Sequence, residues 1–144
     1  MRVLVQRSGE ARVVVDEKTV GKIDNGLVLL VGFTEGDNME KICYLAKKVV
    51  NLRIFPDQDG VMNKSILEYG GSILSVSQFT LYADTKKGNR PSYINALSGP
   101  EANILYDSFN EELRKYIKVE EGIFGADMEV SLNNIGPTTI FLER

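Results

Sequence analysis

From Ser75 to Thr80 the chain reads Ser-Val-Ser-Gln-Phe-Thr, which brings three hydroxyls and a carboxamide together. At a strand end, next to backbone N–H groups, such side chains can cradle a developing oxyanion. They can equally satisfy neighbouring backbone groups, and residue type alone leaves both readings open. The stretch Thr85-Lys-Lys-Gly-Asn-Arg90-Pro91-Ser92 follows, and its Lys86, Lys87 and Arg90 form the densest positive cluster in the chain. It reads either as a solvated loop or as a contact for a few phosphates. A third segment, Asn134-Ile-Gly136-Pro137-Thr138, sets Gly-Pro ahead of a terminal strand. That is a turn, or a site of backbone recognition in which glycine bares its carbonyl and proline fixes the local geometry.

What the chain lacks narrows the chemistry further. Its 144 residues include no histidine, the commonest general base near neutral pH and a common metal ligand. Ser-His-Asp and Cys-His machinery are therefore excluded, as is a His-ligated metal. One cysteine, Cys43, cannot build a thiolate zinc cluster within a chain. No metal and no cofactor are expected. Catalysis would have to come from hydroxyls, carboxylates, Lys or Arg, backbone amides, or the substrate itself. Thr80 is a weak nucleophile, with no histidine to deprotonate it and no N-terminal amine of its own. A net charge of −3 offers no broad basic face, so DNA is not an expected partner. The longest apolar run, Leu27 to Gly32, is far short of the roughly 20 residues that cross a bilayer. With no signal-peptide pattern and a lone cysteine, the expected setting is cytoplasmic and off the membrane.

The elements that must position these residues can be read from periodicity. The length suits one domain, residues 1–144. Met1–Arg7 alternates as a strand, Ala11–Val15 and Thr19–Ile23 read as two more, and Asp16-Glu17-Lys18 is a charged turn. Asn25-Gly26 turns the chain into Leu27–Val31, a strand with the pattern of burial on both faces. The first third is thus expected to be an antiparallel meander. Asp37 and Glu40 have the spacing of a capping box ahead of an amphipathic helix, Asn38 to about Asn51, in which Cys43 reads as a small core residue. Gly70-Gly71 turns the chain into a strand from Ser72 to Thr80. Ser98 with Glu101, and Pro100 between them, open a second helix whose stripe of Ala102, Leu105, Tyr106, Phe109, Leu113 and Tyr116 runs to about Lys118. Strands at Asp127–Leu132 and Thr138–Leu142 close the chain. The expected fold is α/β of the α+β kind: an antiparallel-rich mixed sheet with a barrel-like core and two main helices.

In their order and spacing, these segments resemble the bacterial-type D-aminoacyl-tRNA deacylases, once named for D-tyrosyl-tRNA. The resemblance runs end to end, through Gln6-Arg7, Asn25-Gly26-Leu27, Arg53-Ile54-Phe55 and Met62-Asn63. It is densest at Ser77-Gln78-Phe79-Thr80-Leu81, Ala83-Asp84-Thr85, Gly88 with Arg90-Pro91-Ser92, and Ala126-Asp127-Met128, and it ends on Ser131-Leu132 and Gly136-Pro137. It implies an editing hydrolase that cleaves the ester between a D-amino acid and the 3′-terminal adenosine of tRNA. It also implies a homodimer with the active site at the interface. There Gly136 and Pro137, joined by a cis bond, would reject L-amino acids through their carbonyls, with Arg7 bracing them. Ser77, Gln78, Phe79 and Thr80 would form the catalytic pocket, with the Phe79 and Thr80 amides as oxyanion donors and Met128 contacting substrate. The resemblance further implies assistance from the tRNA's own 2′-OH, and clearance of glycine mischarged on alanine tRNA. Ser8, Ile135 and Thr138 depart from the family's usual Val, Asp and Val. None of the three removes a backbone atom of the filter, but they bear on how firmly its loop is held.

Overall fold

The computed structural model describes residues 1–144. Its order is β1 (Arg2–Val15), β2 (Lys18–Ile23), β3 (Gly26–Gly32), α1 (Met39–Asn51), β4 (Phe55–Pro56), β5 (Met62–Lys64), α2 (Ile66–Tyr69), β6 (Ser72–Ser77), a 3-10 turn (Phe79–Tyr82), α3 (Gly99–Arg114), β7 (Val119–Glu121) and β8 (Glu129–Glu143). The main sheet runs β2-β1-β3-β6-β7, with β8 paired to β1, and β4 and β5 form a separate small hairpin. β1 pairs antiparallel with β2, β3 and β8, whereas β3–β6 and β6–β7 are parallel. A Cβ on Gly21 of β2 would lie 2.6 Å from the carbonyl oxygen of Glu121 in β7, so the sheet curls until its two ends nearly meet. This is the mixed, barrel-like α/β architecture that the sequence led us to expect, with α1 and α3 as its main helices. No helix is long and apolar enough to cross a membrane.

Several elements differ from their sequence-based reading. The opening strands merge into one, because Ser8-Gly9-Glu10 stays extended, and β3 returns to the first half of β1 while β2 pairs with the second. The first third is therefore centred on β1 and is not a sequential meander. The β1–β2 turn is tighter than expected, since Asp16 (φ 47°) and Glu17 (φ 63°) both take the left-handed conformation of a two-residue hairpin turn. Asn38, not Asp37, caps α1, its side chain accepting from Lys41 N–H at 3.2 Å. Asp37 instead gathers the Met1 ammonium (2.6 Å), the Lys41 ammonium (2.9 Å) and the Thr34 N–H (2.9 Å). Burial pushes its carboxyl up, but these donors outweigh that and hold it below the usual range. Cys43 is exposed rather than core, because it falls on the Lys47 side of α1, opposite Ile42, Leu45, Ala46 and Val49. α3 ends at Arg114, leaving Tyr116 exposed beyond it, and the Ser98 side chain makes no capping bond.

β3 divides the interior in two. Leu27, Leu29 and Val31 face a large core closed by α1 and α3, whereas Val28 packs with Ala11, Val13, Leu74 and Val76 inside the curled sheet. Its entry point is sterically fixed. Gly26 has φ +137°, and a Cβ there would stand 1.9 Å from the carbonyl oxygen of Ser72. Gly26→Ala is therefore expected to lose about 3 kcal/mol or more, combining backbone strain with displacement of the β3–β6 pairing. The midpoint of urea unfolding checks this, and a variant as stable as wild type would contradict it.

Candidate active site

The end of β6 is where the chain stops being sheet. The parallel pairing with β3 continues one residue past Ser77, with Gln78 N–H donating to Val31 O at 2.7 Å, and the backbone then tightens into the 3-10 turn. The first bond of that turn runs from Leu81 N–H to Gln78 O at 3.2 Å. The N–H groups of Phe79 and Thr80 precede it, so they lead the turn without intrahelical partners. Below them β6 is anchored to α3 by the buried Tyr106, whose hydroxyl donates to Ser75 O at 2.9 Å. Burial pushes the Tyr106 phenol above its ordinary range, so it remains a neutral donor.

A cavity of about 410 Å³ opens at this point. Ser77, Gln78 and Phe79 form one wall, Val31 to Phe33 the back, and Ala126 to Met128 the facing side. Its floor is the end of the inner core, since Val76 and Val130 belong to both. Thr80 lies just outside the lining but is tied to it, its hydroxyl accepting from the Gln78 carboxamide at 2.5 Å. Neither end of a carboxamide is a base at neutral pH, so nothing here activates the Thr80 oxygen as a nucleophile.

Gly136, Pro137 and Arg7 lie elsewhere, and none of them lines this cavity. They form a second cluster on the β1–β8 pairing. Gln6 faces Thr139 and Ser8 faces Asn134, so β8 carries residues 135–138 opposite Arg7 alone. The extra residues bulge outward, and Ile135, Gly136 and Pro137 are exposed. Arg7 clasps the bulge, donating from Nε to Ile135 O (3.0 Å) and from Nη1 to Ile54 O (2.6 Å). The Asn134 side chain closes the bulge by accepting from Thr138 N–H at 2.7 Å. Gly136 has φ +121°, and a Cβ there would stand 2.7 Å from both Arg7 Nη2 and Thr138 Oγ1. The Gly136–Pro137 peptide bond is cis.

The structure thus unites Ser77, Gln78, Phe79 and Met128 in one cavity, keeps Thr80 at its edge, and sets Arg7 with Gly136-Pro137 apart. Sequence reasoning missed two walls. Phe124, which packs on Tyr106 with ring centroids 5.9 Å apart, lies in a segment read only as a chain break. Leu97 to Gly99 were read only as the approach to a helix. An aromatic between Gly122 and Gly125 was the available signal for the first; nothing local marks the second.

Fold and cavity together define a small barrel-like α/β protein whose cavity wall carries a hydroxyl and a carboxamide, in a chain without histidine. Residues 4–143 match the family described as D-Tyr-tRNA(Tyr) deacylase. A solved structure named c-Myc DNA Unwinding Element Binding Protein is 37% identical, with 100% of this chain and 99% of that one covered and a TM-score of 0.94. Another, described as a probable eukaryotic D-amino acid tRNA deacylase, superposes with a TM-score of 0.83 at 19% identity, covering 98% and 97% of the two chains, a likeness of fold. The chain belongs to the D-Tyr-tRNA(Tyr) deacylase family, whose activity is hydrolysis of the ester in D-aminoacyl-tRNA.

Met128 provides a local test of the cavity. A Cβ on Gly122 would meet Met128 Sδ at 2.5 Å, part of a flexible side chain, and Val13 Cγ1 only at an ordinary contact distance of 3.6 Å. Gly122→Ala should therefore fold normally while displacing the Met128 thioether within the cavity. In a methyl-labelled sample the Met128 resonance should move and the unfolding midpoint should not. An unmoved Met128 signal would contradict the geometry.

Proposed function

We propose that the chain works as a homodimeric, cytoplasmic editing hydrolase in which the Gly136-Pro137 bulge of each subunit enters the cavity of the other. The supporting observation is the separation just described. The cavity holds Ser77, Gln78, Phe79 and Met128 but no part of residues 135–138, while the bulge stands exposed under the clasp of Arg7. One chain carries a pocket without a filter and a filter without a pocket. A second copy supplies each with the other, and residues 1–144 act as one deacylase unit.

In this reading the terminal adenosine of an aminoacyl-tRNA lies along Ser77, Gln78, Phe79 and Met128. The Phe79 and Thr80 N–H groups receive the negative charge that develops on the ester carbonyl. Water attacks the carbonyl carbon and the bond from that carbon to O3′ breaks. The 2′-OH beside it relays the proton to O3′, leaving free D-amino acid and tRNA with its 3′-OH. Positioning suffices because an ester beside a vicinal hydroxyl is already labile. The carbonyls of Gly136 and Pro137 accept from the substrate's α-ammonium. An L side chain is then driven against backbone, whereas a D side chain points outward. Each tenfold preference requires about 1.4 kcal/mol, well within what such a clash supplies. Glycine has no side chain to reject, so glycine mischarged on alanine tRNA is cleared as well. The DNA-binding name of the 37%-identical relative suggests another ligand class, but a net charge of −3 does not favour it.

Matched D- and L-aminoacyl-tRNA incubated with the protein in EDTA test this reading directly. Rapid loss of the D ester alone is expected; loss of both would overturn the filter, and loss of neither the activity. Arg7→Met, which removes the clasp at similar length, should lower the D-over-L preference at least about tenfold, a difference of 1.4 kcal/mol, while sedimentation still shows a dimer. Thr80→Ala should keep turnover within about tenfold of wild type, because a lost nucleophile costs far more than that. A collapse of activity in folded Thr80→Ala would restore a covalent role.

A further inference from the structure

The positive cluster at Lys86, Lys87 and Arg90 plays no part in the chemistry above, and its surroundings are distinctive. Asp84 and Ser92 exchange backbone hydrogen bonds of 2.8 and 2.9 Å, closing residues 85–91 into a loop. The Asp84 side chain accepts from Lys86 N–H at 2.9 Å and shapes the loop's first turn. All three cations are exposed and none has a carboxylate within 4.0 Å; other cations without one, among them Lys18, Lys47 and Lys48, lie on other elements, so what sets these three apart is their grouping on one short loop.

The loop lies beside the cavity through two further contacts. Leu97 N–H donates to Phe33 O at 2.9 Å, returning the segment after the loop to the back wall. Tyr93 meets Phe79 edge-on, with centroids 4.9 Å apart and planes at 70°. Phe79 is 53% exposed, Tyr93 40% and Ile94 87%, an apolar shelf at the cavity mouth. Past the shelf a second cleft of about 350 Å³ is lined by Thr34, Tyr82, Asp84, Lys86 and Asn95. The same chain segments therefore border, in succession, a cavity, an aromatic shelf and a cleft holding an unpaired cation.

The geometry points to an extended subsite for single-stranded RNA: Tyr93 stacks the base that precedes the terminal adenosine, and Lys86, Lys87 and Arg90 bind the phosphates leading away from it. Exposed aromatics beside unpaired cations are the combination that holds a single strand, the rings taking base faces and the cations the backbone. In an acidic protein that acts on tRNA, a group of free positive charges beside the cavity raises the local concentration of RNA where it must enter. This rests on the deacylase reading and adds to it: the loop sets affinity for the polynucleotide, the cavity sets chemistry on the ester.

The experiment compares a D-aminoacyl-tRNA with the same amino acid esterified to adenosine alone, which has no preceding base or phosphate. Tyr93→Ala, and separately Lys86→Ala/Lys87→Ala/Arg90→Ala, should lose kcat/KM on the tRNA at least about tenfold more than on the adenosine ester. The triple variant should also flatten the plot of log kcat/KM against log salt by about 2, since each cation bound to single-stranded phosphate contributes roughly 0.7. Equal losses on both substrates would mean a structural role and overturn the subsite, as would an unchanged salt slope. Binding of uncharged tRNA separates the two readings. If wild type hydrolyses neither ester yet binds uncharged tRNA with a slope that the triple variant loses, the deacylase reading fails and the RNA contact stands.

Discussion

The hydrogen bond from Gln78 N–H to Val31 O, 2.7 Å long, is the hinge on which the cavity is built. It is the last rung of the β3–β6 pairing. Because it forms, the chain reaches Phe79 fixed in register against a strand buried on both faces, and the 3-10 turn begins from a rigid point. A parallel pair requires a long crossover, and the residues between β3 and β6 supply it with α1, the β4–β5 hairpin and α2. Two cores rest on the two faces of β3, so movement of this rung would disturb both. The backbone N–H groups proposed to receive the ester's charge would depend on such anchoring, because their geometry is that of the main chain itself.

A second anchor of a different kind governs residues 135–138. Opposite a single residue of β1, four residues of β8 need something to hold them, and the Arg7 guanidinium does so by bonding to carbonyls of two separate segments, Ile135 and Ile54. The planar fork of Arg suits this, and a lysine would offer a point charge without the spread of donors. The fold thus contains two backbone displays, one led by N–H groups and one bearing carbonyls, each held by a bond to an element distant in sequence.

Much of this was legible in the sequence because it follows from local pattern. The apolar stripe of α1 set its buried face, the unbroken Leu27–Val31 run marked the strand with two buried sides, and the crowding of Ser, Gln and Thr after Ser75 marked the cavity wall. The rest depended on partners far along the chain. Asp37 has ideal spacing for a cap, yet two ammonium groups and a backbone N–H recruit it, and Asn38 caps instead. Gly9 looks like a break between strands, but with β8 alongside, β1 stays extended through it. Phe124 and Leu97–Gly99 become cavity walls only when the chain ends of several elements converge. The capping box of α2, Ser65 with Glu68, opens a helix of only four residues, too short to leave a periodic apolar stripe in the sequence.

β8 is paired on one side only, along fifteen residues. An unpartnered strand of that length is a template on which further strands can add edge to edge into insoluble sheets. Pro137 interrupts it near the middle: its ring nitrogen carries no hydrogen, and the bulge around it throws the backbone out of line with any approaching strand. The proline proposed as a guard of stereochemistry would on this ground also protect solubility, and its loss would be felt in how long the protein survives at high concentration.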